Sequence, residues 1–406
     1  MSSASETLPR VRPVRTVVRD GAVALALFSI GHFLVDIYSG SMGIFQPLLL
    51  NRLGISLTQA GLLGGLLAFS ASITQPLYGY LSDRYRSRLF SALAPAVAGV
   101  FIALLGASPS YRSALLFAAL GGVGVASFHP QASAWAAVGM KRNRARWMSV
   151  FITSGTLGIA LSPAFYSTFV GIFGFRRILW TALPGILISI ALLIWVRPPG
   201  DVPRRSRSFD WAPFRAVWRP MTILYCGVFF RSAVQVTYAQ FLALYLYRER
   251  GYTLAAAAWA LTLYLTAGAI GGFAGGYIAD RFGARRVILL SFALSVPFMV
   301  VFFLTNGWWS VPSLAVGGLV LLFTIPVNVV VAQDLAPTQA GTVSAFLMGF
   351  AWGAAGLIFI PLTGWVAQRT SLRTALFELL VFPLLGWWLA HYLPHELGRR
   401  KEGARV

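Results

Sequence analysis

Apolar runs of roughly 20 residues, the length a helix needs to cross a bilayer, recur along the whole chain. They predict twelve spans, near 21–50, 57–81, 89–108, 113–138, 147–171, 178–196, 219–247, 253–279, 287–305, 311–334, 341–367 and 372–393. The polar stretches between them are short, with one exception. Residues 197–218 are rich in Pro, Gly and Arg and read as a linker between two groups of six spans. Phe209, Trp211, Phe214 and Trp218 suit its second part to the membrane interface, where aromatic rings are favoured.

The polar positions also repeat. Gly79-Tyr-Leu-Ser-Asp83-Arg84-Tyr-Arg86-Ser-Arg88 follows span 2, and Gly276-Tyr-Ile-Ala-Asp280-Arg281-Phe-Gly283-Ala-Arg285-Arg286 follows span 8, with Asp83 and Asp280 separated by 197 residues. At nearly the same offset, Gly155, Gly158 and Pro163 of span 5 fall on Gly353, Gly356 and Pro361 of span 11, and Pro130 of span 4 falls on Pro326 of span 10. A long apolar chain that repeats itself once reads as a transporter made of two related helical bundles. The expected fold is therefore an all-α membrane protein of twelve transmembrane helices in two pseudo-symmetric six-helix bundles. Its expected divisions are a tail at 1–20, a bundle at 21–196, the linker at 197–218, a bundle at 219–393 and a tail at 394–406.

Composition supports a membrane setting: 57% of residues are hydrophobic and 11% charged, where a soluble domain carries roughly 25% charged. The net charge of +21 would point to nucleic acid in a soluble protein. Its distribution points elsewhere. With the N-terminus placed in the cytoplasm, inner segments hold 24 of the 33 basic residues and outer segments eight, leaving Arg231 inside a span. By the positive-inside rule both termini are expected in the cytoplasm of a bacterial inner (plasma) membrane, with anionic lipids as partners and no nucleic acid. A signal peptide fits residues 1–20 poorly, because the apolar run that follows exceeds 7–15 residues and carries His32 and Asp36.

The doubled Gly-x-x-x-Asp-Arg-x-Gly-x-Arg-Arg pattern, the twelve spans and the central basic linker resemble the major facilitator superfamily over nearly the whole chain. The first copy departs from the pattern, with Arg86 where the second glycine stands. Longer strings resemble the fosmidomycin-resistance family of efflux transporters: Gly31-His32-x-x-x-Asp36, Phe128-His129-Pro130, Pro326-x-x-x-Val330-x-Ala332-Gln333-Asp334-x-x-Pro337 and Met348-Gly349-Phe350-Ala351-Trp352-Gly353. An acidic residue is expected directly after the His-Pro pair, and Gln131 stands there, so a coupling role for that carboxylate does not transfer.

An ionisable group inside a span costs at least ~2.5–3.5 kcal/mol on insertion scales, so each one requires a reason. Asp36 is a candidate proton carrier, with His32 one helical turn before it on the same face. Arg231 lies in span 7, the repeat partner of span 1, and is either the partner of Asp36 or an anchor for an anionic group. A fixed structural ion pair is the alternative. His129 is a candidate substrate contact or a helix-to-helix hydrogen bond; Gln131, Gln235, Asn328 and Trp352 are candidate cavity residues. The superfamily resemblance implies that Gly79, Asp83, Arg84, Arg88, Asp280, Arg281 and Arg285 form a cytoplasmic clamp, made in one access state and broken in the other. Asp334 and the segment 141–146 are its candidate partners, and a turn that only sets topology is the alternative.

Neither of the two lysines stands in a phosphate-binding loop, and no His-Glu-x-x-His, Gly-x-Ser-x-Gly or cysteine cluster suggests catalysis or a metal site. The chain reads as no enzyme and needs no cofactor. The expectation is a monomeric, proton-coupled exporter of a small amphiphilic or anionic compound. A metabolite uptake symporter or facilitator on the same fold is the rival, and a ligand-binding membrane receptor a more distant one.

Overall fold

In a computed structural model, residues 14–85, 87–136, 144–196, 215–337, 343 and 346–394 are described. Most of the linker, the loop with Lys141 and Arg142, Arg86, and the terminal segments 1–13 and 395–406 lie outside the described residues. The described chain is helical throughout and its helices follow the twelve spans. Eleven are long and apolar enough to cross a membrane. The remaining one, Trp218–Glu249, is as long but more polar, since Arg231, Gln235, Thr237 and Gln240 interrupt its apolar run. The first helix, Val14–Ser39, begins inside the expected N-terminal tail.

Several spans are broken, and the prolines explain where. A proline at position i offers no N–H to the carbonyl of i−4 and its ring crowds that carbonyl. Span 2 divides between Leu57–Ser72 and Gln75–Tyr85, just after Ser72, four residues before Pro76. Span 10 divides at Phe323, beside the carbonyl that Pro326 leaves free, and span 12 divides at Leu379 and Leu380, ahead of Pro383. Span 1 breaks for another reason, at Gly40 and Ser41, between Val14–Ser39 and Met42–Leu53. There the hydroxyl of Ser162 in span 5 donates to the Ile37 carbonyl at 2.7 Å, satisfying a group the interrupted ladder does not reach.

The sequence repeat is a repeat of contacts. A Cβ on Gly79 would touch the Pro130 ring 3.5 Å away, and one on Gly276 would touch Pro326 at 3.8 Å. Arg88 donates to the Val196 carbonyl at the end of span 6 (2.9 Å) and Arg285 to the Leu393 carbonyl at the end of span 12 (2.8 Å). At the opposite end, Arg52 donates to the carbonyls of Gly106 (2.8 Å) and Ala107 (2.9 Å) after span 3. Arg250 does the same after span 9, reaching Phe302 (2.8 Å) and Thr305. Each half is thus fastened at both ends by arginines on orphan helix carbonyls.

The halves meet along span 2 against span 11, span 5 against span 8, and the second helix of span 1 against span 7. Glycines line the first seam: a Cβ on Gly61 would lie 2.8 Å from the Ile360 carbonyl, one on Gly356 2.8 Å from Ala68, and one on Gly353 2.8 Å from Ser72. Hydrogen bonds between the halves lie toward the end away from the basic loops. Leu57 N donates to Gln368 Oε1 (2.8 Å), Gln46 to Gln240 (3.4 Å), Ala164 N to Thr262 Oγ1 (3.2 Å) and Arg248 to Asn51 (3.3 Å). At the basic end Asp280, Arg281 and Asp334 are exposed, and neither carboxylate forms an ion pair among the described residues. Among the described residues the halves are joined at the end away from the basic loops and show no ion pair across the basic end.

Candidate functional site

Two groups of buried polar residues face this architecture, one in each half. In the first half, span 1 places His32 and Asp36 one turn apart, and span 4 brings His129 to the same carboxylate. His32 Nε2 lies 3.3 Å from Asp36 Oδ2, and His129 Nε2 lies 3.3 Å from Asp36 Oδ1. His32 and Asp36 are almost fully buried, while the His129 side chain keeps 25% of its exposure and forms the open side of the group.

Both rings are held from behind. His32 Nδ1 is 2.8 Å from the Phe151 carbonyl and His129 Nδ1 is 2.9 Å from the Val125 carbonyl. A carbonyl can only accept, so both Nδ1 atoms carry hydrogen and both Nε2 atoms turn to Asp36. Phe151 also stacks on His32 with ring centroids 4.4 Å apart. Span 5 closes over the group at Gly155, where a Cβ would lie 2.5 Å from Asp36 Oδ2 and closer still to His32 Nε2.

In the second half, Arg231 is buried to 2% exposure and makes one hydrogen bond, from Nη2 to Ser232 Oγ at 3.1 Å. Among the described residues its Nε and Nη1 have no partner, and neither has Oε1 of Gln235, one turn along the same face. Asp36 faces the two histidines of its own half, and among the described residues Arg231 forms no ion pair. Matching depth in the two repeats put Arg231 and Asp36 at comparable levels but did not bring them into contact.

The other candidate residues separate. Both ends of the Gln131 amide are taken, Oε1 by Ser91 N (3.0 Å) and Ser91 Oγ (2.6 Å) and Nε2 by the Ser87 carbonyl (2.8 Å). It is a joint between span 4 and the start of span 3. Asn328 is buried inside the second bundle among Gly227, Phe292 and Gly386, away from the seam between halves. Trp352 is half-buried beside that seam. Of the clamp residues, Arg88 and Arg285 are committed to helix ends within their own halves, and Arg84 donates to Tyr80 Oη at 3.1 Å. The Asp83 side chain lies outside the description.

Gln46 and Gln240, which meet across the halves, had no signal in the sequence beyond being polar in apolar runs. The repeat singled out Gly155, but not that its neighbours are His32 and Asp36.

A family model described as the Major Facilitator Superfamily matches residues 28–255 and again 224–405. Among curated proteins, the chain is 26% identical to the fosmidomycin resistance protein of Escherichia coli (strain K12), over 93% of this chain and 94% of that one. It is 28% identical to the uncharacterized MFS-type transporter YfnC of Bacillus subtilis (strain 168), over 94% and 96%. Among solved structures, a bacterial homolog of the human lysosomal transporter Spinster, in an inward-facing and unoccupied conformation, superposes with a TM-score of 0.77. That match covers 94% of this chain and 97% of the other at 17% identity.

Proposed function

The chain belongs to the Major Facilitator Superfamily of transporters, and on that premise we propose that it is a proton-coupled exporter of a small amphiphilic or anionic compound. One observation carries the substrate class: the buried guanidinium of Arg231, with Nε and Nη1 unpartnered and no counter-ion among the described residues. An uncompensated charge in a low-dielectric interior is costly, and an anionic guest relieves that cost. The free carbonyl of Gln235 beside it supplies an acceptor for a polar group on the same guest.

Asp36, flanked by His32 and His129, supplies the groups that take and release the proton. The halves rock about their seam so that the two groups face one side and then the other. Asp280, Arg281 and Asp334, unclasped here, join again when the basic end closes. The excess of arginine on that end supports a cytoplasmic orientation in a bacterial inner membrane, with anionic lipid as its neighbour. The name of the Escherichia coli relative supports export over uptake.

Transport into inverted membrane vesicles with an imposed pH gradient tests this reading. Asp36→Asn should abolish gradient-driven accumulation while substrate exchange stays measurable. Arg231→Gln should weaken transport of anionic compounds by about 10-fold or more, since a charge-assisted contact contributes about 1.5–3 kcal/mol, and should leave neutral ones nearly unchanged. Equal losses for both classes would remove Arg231 as the anchor. Accumulation in right-side-out vesicles only would identify an uptake carrier.

A further inference from the structure

We propose that His32, Asp36 and His129 form a binding site for a divalent transition-metal cation of the zinc class. Their ligand atoms all lie within 4.8 Å of one another, from two helices that the fold holds together. Two imidazoles and a carboxylate are the donor set that such ions take, with a fourth position left to water or a guest.

Three features of the geometry favour an ion over a simple hydrogen-bonded triad. First, each Nδ1–H is already spent on a backbone carbonyl, Phe151 for His32 and Val125 for His129. A neutral ring so held turns a lone pair, at Nε2, toward a carboxylate oxygen. Lone pair faces lone pair twice around Asp36, and a cation between them converts both repulsions into bonds. A backbone carbonyl on the far ring nitrogen is also the support that fixes the tautomer of metal-bound histidines.

Second, the Nε2-to-oxygen distances are both 3.3 Å. Charge-assisted hydrogen bonds close to about 2.7–2.9 Å. Ligands about 2.0–2.1 Å from a tetrahedral ion stand about 3.3–3.4 Å apart. That is the separation of each imidazole nitrogen from its own carboxylate oxygen, Oδ2 for His32 and Oδ1 for His129, so an ion here takes both oxygens or follows a small turn of the carboxylate. Third, the group is covered on one side by Gly155 and by the Phe151 ring, while His129 stays partly exposed and leaves a route for entry. The sequence alone did not suggest this site, because one i,i+4 pair does not specify a metal and the third ligand stands on another helix, at position 129.

The atoms that would hold the metal are those assigned to the proton in the transport reading, so a bound ion should block proton-driven transport. Binding itself does not rest on that reading and is measured at equilibrium. The purified full-length protein, free of any polyhistidine tag, is titrated with Zn2+ by calorimetry and with Co2+ by visible absorption. The expected result is one ion per chain, with the intense d–d bands of a four-coordinate nitrogen and oxygen site. His129→Gln should weaken binding by at least 10-fold and lose those bands. His391→Gln, which alters a histidine elsewhere, should change neither.

Asp36→Asn is the second variant, with its melting temperature in detergent recorded so that loss of fold is told apart from loss of a ligand. No stoichiometric binding by the unaltered protein, or binding undiminished in both His129→Gln and Asp36→Asn, overturns the proposal. Should metal fail to bind while Asp36→Asn still uncouples transport, the metal site falls and the proton reading stands.

Discussion

At position 155 the chain has room for a hydrogen atom and nothing larger. A methyl group there would enter the space of Asp36 Oδ2 and His32 Nε2, so Gly155→Ala must push apart the cluster of His32, Asp36 and His129. Overpacking of this kind costs about 1–3 kcal/mol, and transport should fall with it. Gly171→Ala, on the same helix with nothing within 4 Å of the added carbon, should leave both melting temperature and transport unchanged. If the two variants behave alike, the steric reading of Gly155 is wrong. His32 and Asp36 were legible together in the sequence, since a spacing of four puts two side chains on one helix face. His129 could be named but not joined to them, because nothing local encodes which helix packs against which. The placement of Arg231 relied on the repeat, which gives depth in the membrane but not the direction in which a side chain turns. The Nε and Nη1 that its guanidinium leaves unpartnered among the described residues became visible only once its surroundings were known.

Single helices end, and break, under rules that the chain states openly. The prolines at 76, 326 and 383 each mark an interruption at or next to the carbonyl four residues earlier. The doubled glycine–proline contact, Gly79 with Pro130 and Gly276 with Pro326, shows that the charged hairpin and the span-4 proline repeat as one packed unit. What the sequence left open was the role of Arg88 and Arg285 in the two hairpins. A charge at a loop next to a helix end serves equally as half of a movable ion pair or as a cap on a neighbouring carbonyl, and spacing cannot separate the two. Arg88 and Arg285 are caps here. Arg285 also donates to the His391 carbonyl at 2.8 Å, so Arg285→Ala should cost about 1.5 kcal/mol, the low end for a hydrogen bond to a charged group. Thermal unfolding in detergent reads that loss. Arg285→Lys, whose single ammonium does not span both carbonyls, should recover only part of it. A full recovery would make the charge alone sufficient.

For the molecule as a whole, the contact pattern defines which end is shut. Cysteines at 57 and 368, on either side of the seam at the end away from the basic loops and introduced into a Cys226→Ala background, should be bridged by a short bifunctional thiol reagent. The bridge should abolish transport while leaving access from the basic end, and cleavage of the reagent should restore activity. Efficient bridging without loss of transport would show that the seam does not open during the cycle. The two-bundle plan was readable in advance because a duplicated pattern announces a duplicated fold. The state of the seam was not, because one sequence must serve every state of the cycle. The glycines at 61, 353 and 356 set the character of that seam. Gly61 lies against the Ile360 carbonyl, and Gly353 and Gly356 against the side chains of Ser72 and Ala68, so parting the halves uncovers peptide groups and small side chains at these positions. Water welcomes what is uncovered, and the grip is therefore shallow. A deeply gripped seam would sit in one state until rare thermal events freed it; this one can be let go by an interaction as modest as a single guest changing place.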